Sequence, residues 1–349
     1  MLFSHSSLVY SAGLSRPSVL ALYSDHFIGE VRLKPILNAL LARGIIGGYQ
    51  IADRQMDLVG PLKEHRFTHI WCQRNVSTRQ FRFLRQHKHI PIIYDLDDLL
   101  TSPPDFVINT RSRTTNRIEW CLQNARAVTV TSARLAALLR EDVPTLTGEV
   151  VVIKNGCSRI SLPESRSPQR RIVWASGDRP YILKDDPTFI ERVARLSNRE
   201  RYQAIFIGRF DSDHLKLFDD PHYIPYLDFA SYREFLRSCA GGIGLAPLPI
   251  GLPPRSQRFF DAKSDIKLVD FLASGLLPLC TAAVPYATSE LFVSSLAGSN
   301  PDTLLERLEA CMADPAATQA GVNAEIYQGQ LLKEREFTVL SKALDRFFV

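Results

Sequence analysis

Short apolar runs rich in β-branched residues alternate along this chain with stretches whose apolar positions fall three and four residues apart. That alternation is the pattern of parallel strands joined by crossover helices, and it predicts an α/β fold. In the first half, the runs at 18–23, 68–72, 91–95, 127–131 and 150–153 read as strands. Between the first two, residues 34–43 predict a helix: Leu33, Ile36, Leu37, Leu40 and Leu41 share one face, Pro35 suits the first turn, and Gly44 ends it. The second half restarts the alternation with strands at 171–175, 204–207, 242–246 and 277–281 and helices at 187–196, 232–239 and 265–273. Ser231 and Glu234 have the spacing of a capping box, and residues 331–348 read as one final helix.

Between the two alternating halves, residues 155–169 hold Gly156 and several prolines and serines without periodicity, which predicts a linker. A chain of 349 residues is also long for a single core. The expected division is therefore 1–157 for a first Rossmann-like domain, 158–330 for a second, and 331–349 for a final helical segment. With 45% hydrophobic and 23% charged residues, the composition excludes a disordered or fibrous chain. The formal charge of +5 suits anionic ligands without requiring nucleic acid. Cys72, Cys121, Cys157, Cys239, Cys280 and Cys311 are scattered without a paired spacing, which predicts reduced core residues. Residues 1–14 lack the basic start and apolar core of a signal peptide, and no apolar stretch is long enough to span a bilayer. A cytoplasmic protein is expected, with peripheral contact at the inner face of a membrane as one option.

Three polar clusters carry candidate chemistry. In the first, Lys263, Ser264, Lys267 and Asp270 surround the start of a predicted helix. Ser264 suits the N-cap, the helix start and the two lysines suit a diphosphate, and Asp270 can accept from ribose hydroxyls; the same residues also fit an ordinary capped helix with a charged face. Arg179 and Lys184 follow the predicted strand at 171–175, on a loop at the carboxyl end of a sheet where ligands bind. A guanidinium there can fork onto phosphate oxygens while the lysine supplies a point charge, although a polar loop before a helix has the same composition. In the third, Asp95, Asp97 and Asp98 crowd the end of the strand at 91–95. Neighbouring carboxylates raise one another's pKa, so Asp98 or Asp97 is a candidate general base; capping without chemistry and a hard-metal site remain alternatives, the latter without a completing cluster.

The first strand-to-helix turn contains Gly29, where a missing side chain lets backbone approach a phosphate, but no G-x-G-x-x-G, and the P-loop, nucleophile-elbow and H-E-x-x-H patterns do not occur. Within residues 74–89, Arg79, Arg82 and Arg85 recur every third position beside Phe81, Phe83 and Leu84. That pattern fits either a surface helix or a face for anionic lipid or a lipid-linked acceptor.

In this order and spacing the segments resemble the GT-B glycosyltransferases, and specifically the large group one family, family four, from about residue 18 to residue 315. Residues 95–100 resemble the first-domain strand end in many of them. Residues 124–132 are similar to their strand-then-serine step, and residues 152–156 to the Asn-Gly that closes the first domain. Arg179 and Lys184 match the pair that binds the donor diphosphate. Residues 226–232 with 244–248 look like the segments that flank the nucleotide base, and residues 263–270 resemble the phosphate and ribose site. The resemblance implies two facing Rossmann-like domains with a cleft between them, in which Asp270 and Lys267 face Gly29 and Asp98. It also implies metal-independent transfer from a nucleoside-diphosphate sugar, as donor substrate and not cofactor, to a glycan or lipid-linked glycan in surface polysaccharide or glycolipid assembly. The family commonly has two glutamates eight positions apart; here the second is Asp270 and the first falls on Ala262, and Asp97 or Asp98 occupies the region of the usual first-domain histidine. Retention and inversion both remain open, as do a sugar-nucleotide isomerase or hydrolase and an inactive binding module on the same fold.

Overall fold

The protein is described here by a computed structural model covering residues 8–10, 16–23, 28–52, 67–104, 111–158, 168–178, 180–318, 320 and 330–348. The chain forms two compact units. The first comprises Met1–Ser158, Pro254–Ser264 and Glu336–Val349, and the second Arg159–Pro253 and Asp265–Arg335. Residues 254–264, which the sequence assigned to the second domain, thus belong to the first unit. Of the expected linker, residues 159–167 lie outside the described residues.

In the first unit the strands are β1 (Leu8–Tyr10), β2 (Ser18–Tyr23), β3 (Gly48–Ala52), β4 (His69–Gln73), β5 (Ile92–Leu96), β6 (Ala127–Val130) and β7 (Glu149–Val152). They form a seven-stranded sheet in the order β1-β3-β2-β4-β5-β6-β7, parallel throughout except for the antiparallel pairing of β1 with β3. β2, β4, β5 and β6 are buried almost throughout, which is why they read as largely apolar runs. One face is covered by the helix Lys34–Ala42 through Ile36, Leu37 and Leu40. Phe337, Leu344, Phe347 and Phe348 of the C-terminal segment join that same core. The sequence predicted a single helix there. The segment is instead broken into Gln330–Lys333, Phe337–Leu340 and a 3₁₀ stretch Ser341–Phe347, so only its later part enters the first unit's core.

The second unit contains β8 (Arg171–Ser176), β9 (Gln203–Gly208), β10 (His222–Ile224), β11 (Ile243–Ala246), β12 (Leu277–Thr281) and β13 (Ala297–Gly298). All run parallel in the order β10-β9-β8-β11-β12-β13. The helix Phe229–Ser238 begins three residues earlier than predicted, because Asp228 and not Ser231 is the N-cap: its carboxylate accepts from the Ser231 amide at 3.0 Å and the Ser231 hydroxyl at 2.7 Å. All six cysteines are free and buried, as expected of reduced core residues. No helix among the described residues is long and apolar enough to cross a membrane.

Candidate functional site

In the first unit, successive connections leave the sheet on opposite sides of β2, so the chain reverses its winding where β2 meets β4. Ligands of parallel α/β sheets bind outside the carboxyl ends of strands at such a reversal. There, Asp95 is buried at the end of β5 and accepts from Arg32 Nε (2.9 and 2.8 Å to its two oxygens), Gln73 Nε2 (2.9 Å) and Thr129 Oγ1 (2.5 Å). Arg32 reaches it from the π-helical turn Gly29–Leu33 and also donates to the Ile153 carbonyl at 2.6 Å. Asp95 is therefore saturated with donors that tie together β4, β5, β6 and the first turn. Its part is structural.

Asp97 and Asp98 lie just beyond it. Arg74, the first residue after β4, has φ 53, a left-handed conformation that costs a non-glycine residue about 1 kcal/mol and persists only where its surroundings fix it. Two bonds do so: the Arg74 amide donates to the Asp95 carbonyl at 2.9 Å, and the Tyr94 hydroxyl donates to the Arg74 carbonyl at 2.8 Å. So held, Arg74 puts Nε 3.2 Å from Asp97 Oδ1 and Nη2 2.9 Å from Asp98 Oδ2. Lys263 Nζ lies 3.0 Å from Asp98 Oδ1 and over the Phe259 ring. The two carboxylates consequently diverge. Burial pushes Asp97 up to about 6, with Arg74 opposing and Asp98 and Asp95 reinforcing. Burial also acts upward on Asp98, but Lys263 and Arg74 outweigh it and hold that carboxyl below its ordinary value. Asp97 Oδ1 is buried without a hydrogen bond. A carboxylate that titrates near neutrality and keeps an unused acceptor is suited to take a proton; one clamped by two cations is not.

In the second unit the winding reverses between β8 and β11. The loop after β8 and the start of the helix Ile266–Ala273 before β12 share the carboxyl edge of the sheet. The helix lies directly on β11: a side chain at Gly244 would begin 2.4 Å from the Phe271 ring, so glycine permits the contact. Asp265 is the N-cap, in place of the predicted Ser264, and its side chain makes no capping bond. Its carboxylate turns instead to Arg335 Nη2 (2.5 Å) and the Ser289 hydroxyl (2.6 Å), and Arg335 also holds Glu290 at 2.6 Å. The N-cap side chain therefore leaves the first turn of this helix uncapped. One turn on, Lys267 Nζ donates to the Tyr232 hydroxyl at 3.2 Å, and Tyr232 is hydrogen-bonded to Asp270. Burial raises the Asp270 carboxyl, with Arg233 and Lys267 opposing, and burial lowers Lys267, with Asp270 opposing. Asp270 is 4% exposed and its Oδ1 has no hydrogen bond; Arg233 Nη2 stands 3.8 Å away.

No protein-family model matches the chain, and no curated protein matches it by sequence. Solved structures do. Sucrose-phosphate synthase from Thermosynechococcus elongatus is similar at 14% identity and a TM-score of 0.64, covering 95% of this chain and 98% of that one. T4 phage BGT, solved with its UDP-glucose substrate, is similar at 7% identity and a TM-score of 0.55, over 95% and 98% of the two chains. The fold is that of the GT-B glycosyltransferases. A putative UDP-N-acetylglucosamine 2-epimerase from Listeria monocytogenes shares the same architecture, at 10% identity and a TM-score of 0.55 over 94% of each chain.

Against this fold the candidate residues distribute unevenly. Asp97, Asp98 and Lys263 converge in the first unit, so Lys263 serves Asp98 there; Lys267 and Asp270 converge in the second. Lys184, on the short helix Ile182–Asp185, is exposed and lies over the Tyr181 ring. Arg179 lies outside the described residues. Gly29 is explained by packing, since a side chain there would begin 2.8 Å from the Tyr23 ring. Ala262 is fully buried and brings no carboxylate to its position. The sequence reading overlooked Arg74, Arg32, Arg233 and Arg335. For Arg74 a signal existed: it directly follows a strand, and the ends of adjacent parallel strands must meet, which brings it to the aspartates after β5.

Proposed function

We propose that the chain is a glycosyltransferase of the group one kind, moving a sugar from a nucleoside-diphosphate donor to a glycan or lipid-linked glycan acceptor in the cytoplasm. The observation that carries the reading is Asp270: a buried carboxylate with an unused oxygen, beside Arg233 and Lys267, on a helix whose first turn its own N-cap side chain leaves uncapped. Such an oxygen matches ribose hydroxyl donors, and the helix start with Lys267 matches a diphosphate. Lys184 and Arg179 supply further cations for the phosphates, which offset the charge of the leaving diphosphate without a metal. In the first unit, Asp97 takes the proton of the acceptor hydroxyl as its oxygen bonds to the anomeric carbon and the bond to the diphosphate breaks. Asp98 holds Arg74 and Lys263 in place around it. Surface polysaccharide or glycolipid assembly is the setting that the resemblance supports.

Thermal-shift measurements against a panel of nucleotides and nucleotide sugars test this directly, because a ligand of the folded state raises the melting temperature. A responding donor should bind about ten- to a hundredfold more weakly to Lys184→Ala and to Arg179→Ala, the loss expected for one charge-assisted contact. Asp270→Asn should weaken nucleotides and leave inorganic diphosphate unaffected. The epimerase neighbour favours a second reading as a sugar-nucleotide isomerase or hydrolase. Turnover of the donor with no acceptor present decides for it, and a chain that answers to no nucleotide is a binding module on this fold.

A further inference from the structure

Residues 65–94 contain Arg66, Arg74, Arg79, Arg82, Arg85 and Lys88, and no aspartate or glutamate. Within them the helix Thr78–Gln86 is fixed by one side and one end. Phe83 and Leu84 are buried, and Ser77 and Gln80 close a capping box; the Gln80 side chain also donates to the Tyr23 carbonyl at 3.2 Å. Phe81 packs edge-on against Trp120, with Arg117 over its ring. What remains outward is basic: Arg79, Arg82, Arg85 and Lys88 are exposed. None of these four forms an ion pair with a described residue, including Glu119 on the neighbouring helix. Like charges three positions apart weaken a helix. The outward face of this helix is therefore a row of positive charge with no anion opposite it among the described residues.

We propose that this face of Thr78–Gln86, continued by Lys88, docks the protein onto an anionic lipid surface. The proposal stands on charge and exposure alone and does not depend on the transferase reading. The helix is pinned with its apolar side in its own unit, so contact is electrostatic and reversible and involves no insertion. Nucleic acid fits the face less well: the phenylalanines that would stack on bases are turned inward, and the end of the helix that would enter a groove is tied down by its capping box.

Co-sedimentation of the whole chain with vesicles of phosphatidylcholine, alone or mixed with phosphatidylglycerol, tests the proposal. Binding should require phosphatidylglycerol and fall steeply as salt is raised. Each basic residue near an anionic surface strengthens binding about fivefold, so Arg82→Gln with Arg85→Gln should lower affinity roughly 30-fold. The corresponding lysine variants should retain it, because a point charge suffices, and unchanged melting temperatures exclude misfolding. Equal binding to both vesicle types, an unaffected glutamine variant, or binding to RNA or heparin under conditions where vesicles do not pellet the protein would each overturn it.

Discussion

Replacing Asp97 with asparagine should stabilise the first unit at neutral pH and leave it unchanged in acid. The buried Asp97 Oδ1 lacks a hydrogen bond, and burial moves its carboxyl from 3.8 to about 6. Because the folded value lies above the unfolded one, the folded state holds more protons between them. Stability is therefore fully present below the unfolded value and is lost as pH rises through about 6. At 1.36 kcal/mol per unit, ionised Asp97 costs the fold about 3 kcal/mol above that range. Asparagine never ionises and still offers Arg74 an acceptor. The difference between variant and wild type should be near zero below about pH 4 and climb to at most about 3 kcal/mol above about pH 7, or roughly 6–12 °C for a unit of this size. Thermal melts across that pH range measure it. A difference that does not vary with pH, or a variant less stable than wild type at neutral pH, would refute the assignment of an elevated carboxylate to Asp97. Under the proposed function the same variant should lose transfer by about a hundredfold or more, gaining stability as it loses its base.

Asp98→Asn should act in the opposite sense. It leaves Arg74 and Lys263 without their shared anion, so stability should fall by about 1–3 kcal/mol at neutral pH. With a depressed pKa in the folded state, the contribution of Asp98 is present above its unfolded value and vanishes as pH falls through the folded one, so wild type and variant should converge in acid melts. Arg335→Met removes a buried guanidinium, 1% exposed, from Asp265 and Glu290; the uncompensated carboxylates should destabilise the second unit by about 3–5 kcal/mol in denaturant titrations, and an unchanged midpoint would mean that the pair is not formed in solution.

The central strands were legible because parallel strands covered on both faces must be apolar throughout: β2 and β12 have their predicted limits, and β4, β5, β6, β8, β9 and β11 differ from theirs by a residue or so. The strands that were missed depart from that pattern for identifiable reasons. β3 is entirely buried, yet its Gly48 and Gln50 interrupt the apolar run. β1, β10 and β13 lie at sheet edges and are only two or three residues long, too short for any periodicity. Helix ends failed wherever two polar residues competed to cap. Asp228 outcompetes Ser231 as a cap because an ionised oxygen accepts more strongly from backbone amides than a hydroxyl does.

The chemistry-bearing residues were visible as clusters, but their partners were not, because contact in this fold is set by sheet order and not by sequence distance. Asp98 draws one cation from 24 positions before it and another from 165 positions after it. Lys263 shows the consequence most clearly. Beside Ser264 and four residues before Lys267, it reads as part of one phosphate-binding group. The chain, however, passes from the first unit to the second between Ser264 and Asp265, so the two lysines belong to different units and face different anions, Asp98 for one and the Tyr232–Asp270 pair for the other. Charge and spacing make the two ammonium groups equivalent. The partner that each one touches separates Lys263, which holds Asp98 in its ionised form, from Lys267, which stands beside the unused oxygen of Asp270, and the proposed function assigns the donor to the second alone.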